Sequence, residues 1–241
     1  MAPSFDSELL RRWIHAATRS LARHRAEIDR INVFPVPDGD TGSNMLLTVQ
    51  AALRALGPAR TVAGDDRGPD TLPADADARL AIDVDAGLAA GAATGPAGSA
   101  DVGLAGGTDA ALAGGTDAGA TAAALARGAL RGARGNSGLI LTQLLRGVSD
   151  ELAARASSDR RAASAAGGAL FASALRRSAT LARAAVHRPR QGTILTVLEA
   201  AASAATALPE GTTLAETATV ASRAAGDARE ATTGQLPELA R

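Results

Sequence analysis

The chain has 241 residues, with 25 basic and 25 acidic side chains in balance, and every basic residue other than three histidines is arginine. The absence of lysine excludes a P-loop, the strand lysine of protein kinases and a pyridoxal Schiff base, and the absence of cysteine excludes thiol nucleophiles, Cys-ligated zinc, iron–sulfur clusters and disulfides. With aromatics at 2%, no tyrosine and no net positive charge, little is left to stack on or neutralise nucleic acid.

The N-terminal run MAPSFDSELLRRW reaches Asp6 and Glu8 before any apolar stretch, so it does not read as a signal peptide. Elsewhere Asp, Arg or Thr interrupts the Ala/Gly runs well before the roughly 18 apolar residues a membrane span needs. A soluble, cytoplasmic protein is the expectation.

Residues 5–28 place Leu9, Leu10, Trp13, Ile14, Ala17, Leu21 and Ile28 on one helical stripe, with Ser4 or Ser7 as cap and Asp6 and Glu8 suited to the N-terminal dipole. A second helix is expected over 43–56, stopped by Gly57-Pro58. Residues 58–118 then break the pattern. They are rich in Ala, Gly and Asp, lack aromatics and repeat a Gly-Gly-Thr-Asp-Ala pentad at 106–110 and 114–118. Such a segment buries too little apolar area to offset ordering entropy, and it reads as a low-complexity, disordered insertion within one domain spanning 1–241. Its aspartates form no calcium loop, because no Asp-x-Asp-x-Asp-Gly with a closing glutamate is present.

Further helices are expected over 119–131, 137–155, 162–186 (ended by Arg188-Pro189), Gly192 to Ala207 and 212–231. No segment alternates with period two for long enough to make a strand. The fold class is all-α, with antiparallel helices joined by short loops.

Three loops carry candidate chemistry. In the first, Ile31 to Met45, two prolines stiffen an extended approach to Asp38-Gly39-Asp40, whose two carboxylates can converge on one small volume and would repel without a cation between them. Thr41, Gly42, Ser43 and Asn44 follow at a helix start, where free amides favour phosphate; the same residues also suit an ordinary Asp-Gly turn with Ser43 as cap. The second loop, Gly132 to Gly138, offers glycine amides, Arg134, Asn136 and Ser137 ahead of another helix, as a phosphate cradle or as a capped interhelical turn. It is not a nucleophile elbow, since Leu139 stands where Gly-x-Ser-x-Gly needs glycine. The third, Arg188 to Val197, places Gly192 and Thr193 at a helix start and by itself reads as a helix stop and restart. His15, His24 and His187 lack metal spacing and read as surface or capping residues.

Together, the sequences of residues 32–45 (NVFPVPDGDTGSNM), 132–141 (GARGNSGLIL) and 192–197 (GTILTV) resemble the L-domain family of dihydroxyacetone kinases (DhaL). The likeness is greatest to the branch at the N-terminus of bacterial fatty acid kinase A subunits. The resemblance covers residues 1–57 and about 119–241. It implies an eight-helix antiparallel barrel binding ATP at one mouth, the phosphates resting on two Mg²⁺ ions. Asp38 and Asp40 would then be metal ligands and the acidic residues of catalysis, with Asn32 or Asp29 completing the set. Thr41, Gly42, Ser43, Asn44, Gly135, Asn136, Ser137 and Gly138 would bind the nucleotide's phosphates, and Gly192 and Thr193 would lie by the nucleoside.

The chain departs from that branch at several points. Ser43 replaces a usual Thr, Arg190-Gln191 replaces a usual Val-Glu, and the 58–118 segment replaces a shorter connection. The chain stops at Arg241, before an expected Asp-rich segment and final helix, as a truncated N-terminal portion would. The implied activity is ATP-dependent phosphorylation of a fatty acid carboxylate presented by a separate FakB-like lipid-binding protein, with dimerisation through domains this chain lacks. A dihydroxyacetone (glycerone) kinase subunit is the alternative, against which the Pro-Val-Pro approach argues, and an inactive nucleotide-binding module is a third.

Overall fold

The computed structural model of the chain describes residues 5–32, 38–57, 118–157 and 167–235. Among them every regular element is helical: α1 (Ser7–Ile31), α2 (Thr41–Arg54), α3 (Ala118–Gly132), α4 (Gly135–Ser157), α5 (Gly167–Ala185), α6 (Ile194–Thr206) and α7 (Leu214–Gln235). The all-α expectation is met, with seven described helices where the family resemblance implies eight. The expected insertion, the Val33–Pro37 stretch of the first motif, the start of the fifth helix and the C-terminal Leu236–Arg241 lie outside the described residues.

Helix starts differ from the periodicity reading in instructive ways. α1 is capped by Asp6, whose carboxylate accepts the Leu9 amide at 2.9 Å, and not by Ser4 or Ser7. α2 and α4 each begin two residues earlier than expected, at Thr41 and Gly135, so Thr41, Gly42, Gly135 and Asn136 join the first helical turns. Apolar spacing is silent there, because the first turn of each is built from small polar residues. α6 begins only at Ile194, with Thr193 as its cap.

Neighbours in the chain pack as neighbours in space. α1 lies on α2 and α3, α2 also on α3 and α4, α4 on α5, α5 on α6 and α7, and α6 on α7. The directions alternate: Gly128 of α3 faces Ala51, Ala52 and Ala55, whereas Gly132, one turn on, faces Ala51 and Leu47. A Cβ at Gly128 would come within 2.5 Å of the Ala55 methyl, so glycine is what lets α2 and α3 approach this closely. The main core joins Leu10, Ile14, Leu21 and Ile28 to Met45, Val49, Leu125, Ile140, Leu145, Ile194 and Leu198, with alanines filling the gaps. A smaller cluster around Phe171, Ala201, Leu214 and Ala221 is tied to α1 by Phe5, whose ring centroid lies 6.1 Å from that of Phe171. No described helix is long and apolar enough to cross a membrane.

Up-and-down alternation has one consequence for function. Gly42 of α2 meets Arg25 and Ile28 near the end of α1, Gly135 meets Asn44, and Phe5 before α1 meets Phe171 near the start of α5. The connections α1–α2, α3–α4 and α5–α6 therefore fall at the same end of the bundle, and these are the three loops that the sequence marks out.

Candidate functional site

The first two connections meet. Gly135 opens α4 with φ +57°, and a side chain there would strike the Asn44 amide, which lies 2.7 Å from the position of a Cβ. A Cβ at Gly138 would likewise sit 2.5 Å from Thr48 Oγ1. Thr48 is fully buried and stitches the loops together: its hydroxyl donates to the Asn44 carbonyl at 2.7 Å and accepts the Arg134 amide at 3.4 Å. Thr48 is absent from the sequence-predicted set, yet it fixes how the starts of α2 and α4 sit together. The available sequence signal is a threonine one helical turn after Asn44, on the inward face of α2.

Behind α2, α1 supplies the support. A Cβ at Gly42 would lie 2.5 Å from the Arg25 carbonyl and 3.0 Å from Ile28 Cβ, so the first turn of α2 presses directly on the last turns of α1. Asp29 reaches across and accepts the Ser43 amide at 3.0 Å and the Ser43 hydroxyl at 2.8 Å. Both of its oxygens are therefore engaged by Ser43. Asn32, 4% exposed, caps α1 with its backbone amide on the Asp29 carbonyl and donates its side-chain NH₂ to Asp38 Oδ1 at 2.5 Å. A carboxylate can accept only from the NH₂ side, which fixes the amide's orientation and turns Asn32 Oδ1 the other way. Asp40 is the N-cap residue of α2 but makes no side-chain capping bond.

Polar satisfaction separates this end of the bundle from the rest. The buried side-chain oxygens without a hydrogen-bond partner among the described residues are Asn32 Oδ1, Thr41 Oγ1 and Ser137 Oγ. The last two belong to residues only 5% and 3% exposed. Native proteins pair nearly all buried polar atoms, and an unpaired one costs about 1–3 kcal/mol. All three such atoms lie on two loops in contact at this end of the bundle.

The third loop behaves differently. Thr193 Oγ1 accepts the Leu195 amide and donates to the Arg190 carbonyl, while Thr196 Oγ1 accepts the Gly192 amide at 3.0 Å and donates to Gln191. This capping box satisfies the start of α6 internally. The structure brings the first two loops into contact and places the third at the same end with its polar groups already paired among themselves. The histidines stay outside: His15 and His187 are exposed, and His24 Nδ1 bonds the Ser20 carbonyl one turn back.

A hard divalent cation takes oxygen ligands. Among the described residues no group of three Asp, Glu, His or Cys could hold a metal ion. The oxygens on offer are the Asp38 and Asp40 carboxylates, one glycine apart, and the unpaired amide oxygen of Asn32. Gly39 between the two aspartates has φ +64°, a conformation that glycine adopts without strain. Two carboxylates one glycine apart suit a hard cation such as Mg²⁺, which keeps water and phosphate oxygens in its remaining positions. Of the two candidates for the third ligand, Asn32 carries an amide oxygen without a partner among the described residues, whereas both Asp29 oxygens accept hydrogen bonds from Ser43.

Comparison with known proteins agrees with the helical architecture. The model of the DAK2 domain family matches residues 103–241, more than half of the chain, which takes in the second and third loops. The chain is 29% identical over 236 residues, 98% of its length, to protein YloV of Bacillus subtilis (strain 168). It is 29% identical over 205 residues to an uncharacterized protein of Staphylococcus saprophyticus, and 27% over 205 residues to one of Staphylococcus aureus (strain USA300), each covering 85% of the chain. The chain spans 31% of the length of the first of these relatives and 26% of the other two.

Proposed function

The chain belongs to the DAK2 domain family, a family related to kinases, and on that premise we propose that it binds Mg-ATP at the starts of α2 and α4 and transfers the γ-phosphoryl group to a fatty acid carboxylate. The acceptor is presented by a separate lipid-binding protein of the FakB kind, in the cytoplasm. One observation carries the nucleotide site: the buried, unpaired oxygens of Asn32, Thr41 and Ser137 on two loops in contact. Fatty acid as acceptor rests on the likeness of the first motif to the fatty acid kinase branch.

In this reading Asp38 and Asp40 would hold Mg²⁺, which would supply charge neutralisation to the phosphates. The chain's own groups do the rest. The Thr41 and Ser137 hydroxyls donate to phosphate oxygens, and the first amides of α2 and α4 add the positive end of each helix. Gly135 and Gly138 keep side chains out of the space between the loops, and exposed Arg134 stands at its rim as the available cation. Gly192 and Thr193 form the side on which the nucleoside lies. Reaction forms a bond from a carboxylate oxygen to the γ-phosphorus and breaks the bond from that phosphorus to the bridging oxygen of ADP, giving an acyl phosphate and ADP. A carboxylate is already ionised at neutral pH, so the site needs no general base, and catalysis by positioning and electrostatics suffices.

ADP release from Mg-ATP tests the proposal, first with free fatty acid and then with a fatty-acid-loaded lipid-binding protein from the same genome. Little turnover with free fatty acid and a large gain with the loaded carrier are expected. Turnover on dihydroxyacetone without any carrier would overturn the choice of acceptor. Mg-ATP binding without turnover on either acceptor would favour an inactive nucleotide-binding module, and absence of Mg-ATP binding would overturn the nucleotide site itself.

A further inference from the structure

We propose that Asp29 is a positioning residue: it caps α2 from outside that helix, so that the Asp40 carboxylate is released to face a cation. The inference rests on the nucleotide site proposed above.

Helix geometry makes the case. With Asp40 as N-cap, Thr41, Gly42 and Ser43 are the first three residues of α2. An N-cap aspartate normally turns its own carboxylate onto the amide of the second or third of these residues. Here Asp40 makes no such bond. The third amide, that of Ser43, goes instead to Asp29 Oδ1 at 3.0 Å, while the Ser43 hydroxyl takes Oδ2 at 2.8 Å. Asp29 lies three residues before the Asn32 cap of α1, in that helix's last turns, where the dipole disfavours a negative charge. Its carboxylate reaches Ser43 because α1 and α2 meet there, with Gly42 seated on the Arg25 carbonyl and Ile28. The exchange has two results. Both Asp29 oxygens are engaged by Ser43, which orients the carboxylate toward the first turn of α2. The Asp40 carboxylate has no capping duty, and the Thr41 hydroxyl beside it stays buried without a partner among the described residues.

The two roles, positioning and ligation, predict different responses to charge removal. Asparagine at position 29 can still accept the Ser43 amide through its oxygen and donate to the Ser43 hydroxyl through its NH₂, so it keeps the clamp and loses the charge. In the full 241-residue chain, Mg-ATP affinity by calorimetry and amide exchange over Thr41–Met45 are measured for wild type, Asp29→Ala, Asp29→Asn and Asp38→Asn. The expected pattern is at least tenfold loss of Mg-ATP affinity in Asp29→Ala with at least tenfold faster exchange at Ser43. Asp29→Asn should rescue both to within about threefold, whereas Asp38→Asn should lose affinity with Ser43 still protected. Asp29→Asn binding as poorly as Asp38→Asn, with Ser43 protected, would overturn the inference and make Asp29 a ligand. Unchanged affinity in Asp29→Ala would overturn it as well. If wild type itself does not bind Mg-ATP, the parent reading fails; equal Ser43 exchange in the two Asp29 variants without nucleotide would then separately overturn the capping role.

Discussion

Replacing Ser137 with alanine should make the ligand-free protein more stable and the Mg-ATP-bound protein less so. The Ser137 hydroxyl is buried on a residue 3% exposed and meets no partner among the described residues. Leaving such a group unpaired costs about 1–3 kcal/mol, and removing it recovers most of that, less a few tenths for the small cavity left behind. A net gain of about 1 kcal/mol is expected, which for a domain of this size raises the melting temperature by about 2–4 °C. Ser178 supplies the control. It is equally buried, but its hydroxyl is 2.8 Å from both the Ala174 and Leu144 carbonyls, so Ser178→Ala should lower stability by about 1 kcal/mol. Thermal melts of both variants, without ligand and with saturating Mg-ATP, give the comparison. Ligand stabilisation follows RT ln(1 + [L]/Kd), so the Ser137 variant should show the smaller shift on adding nucleotide. A Ser137→Ala melt that falls like that of Ser178→Ala would refute the reasoning, because the hydroxyl would then have a partner within the fold.

Three further outcomes follow from other parts of the molecule. Gly42→Ala should lower the melting temperature and weaken nucleotide binding together, at a cost of about 1–3 kcal/mol, because the new Cβ would lie 2.5 Å from the Arg25 carbonyl in a backbone contact with little room to yield; a melt matching wild type would show that α1 and α2 separate freely. Thr213 and Glu216 form a reciprocal cap at the start of α7, with the Thr213 hydroxyl donating to Glu216 at 2.7 Å, and this bond followed by that from the Thr213 amide holds the carboxyl below its ordinary value. A depressed carboxyl stabilises the fold above its unfolded pKa and loses that contribution as pH falls through the folded value, so the stability difference between wild type and Glu216→Gln should shrink on acidification below the ordinary glutamate range; a difference independent of pH would contradict the cap. Deleting residues 60–116, poor in large apolar side chains, should leave a single cooperative melt and unchanged nucleotide affinity, and a broadened melt would show that the segment contributes to the core.

How far the chain can be read without coordinates depends on which physical signal each residue carries. The leucine and isoleucine stripe of α1 specifies its buried face, and Leu10, Ile14, Leu21 and Ile28 are indeed buried together. The starts of α2 and α4 carry no apolar signal, since Thr41–Asn44 and Gly135–Ser137 are small and polar, and so each helix opens two residues before the point that periodicity marks. Asp6 outcompetes the neighbouring serines as cap of α1 through a bond that only backbone geometry reveals. Within the candidate site, Asp38-Gly39-Asp40 stands out by composition, whereas the bond from Ser43 to Asp29 spans 14 residues and that from Arg134 to Thr48 spans 86. Contacts of that range depend on how α1, α2 and α4 cross. Local pattern therefore locates the loops but does not reveal what holds them together.

The central claim, that the α2 and α4 starts form a Mg-dependent nucleotide site, is tested most directly by calorimetric titration of ATP into the 241-residue chain with and without Mg²⁺, repeated for Asp38→Ala. Binding near one equivalent that requires Mg²⁺ and is lost in Asp38→Ala, with helical content unchanged by circular dichroism, is the predicted result. ATP binding of equal strength without Mg²⁺, or in the folded Asp38→Ala variant, would contradict it.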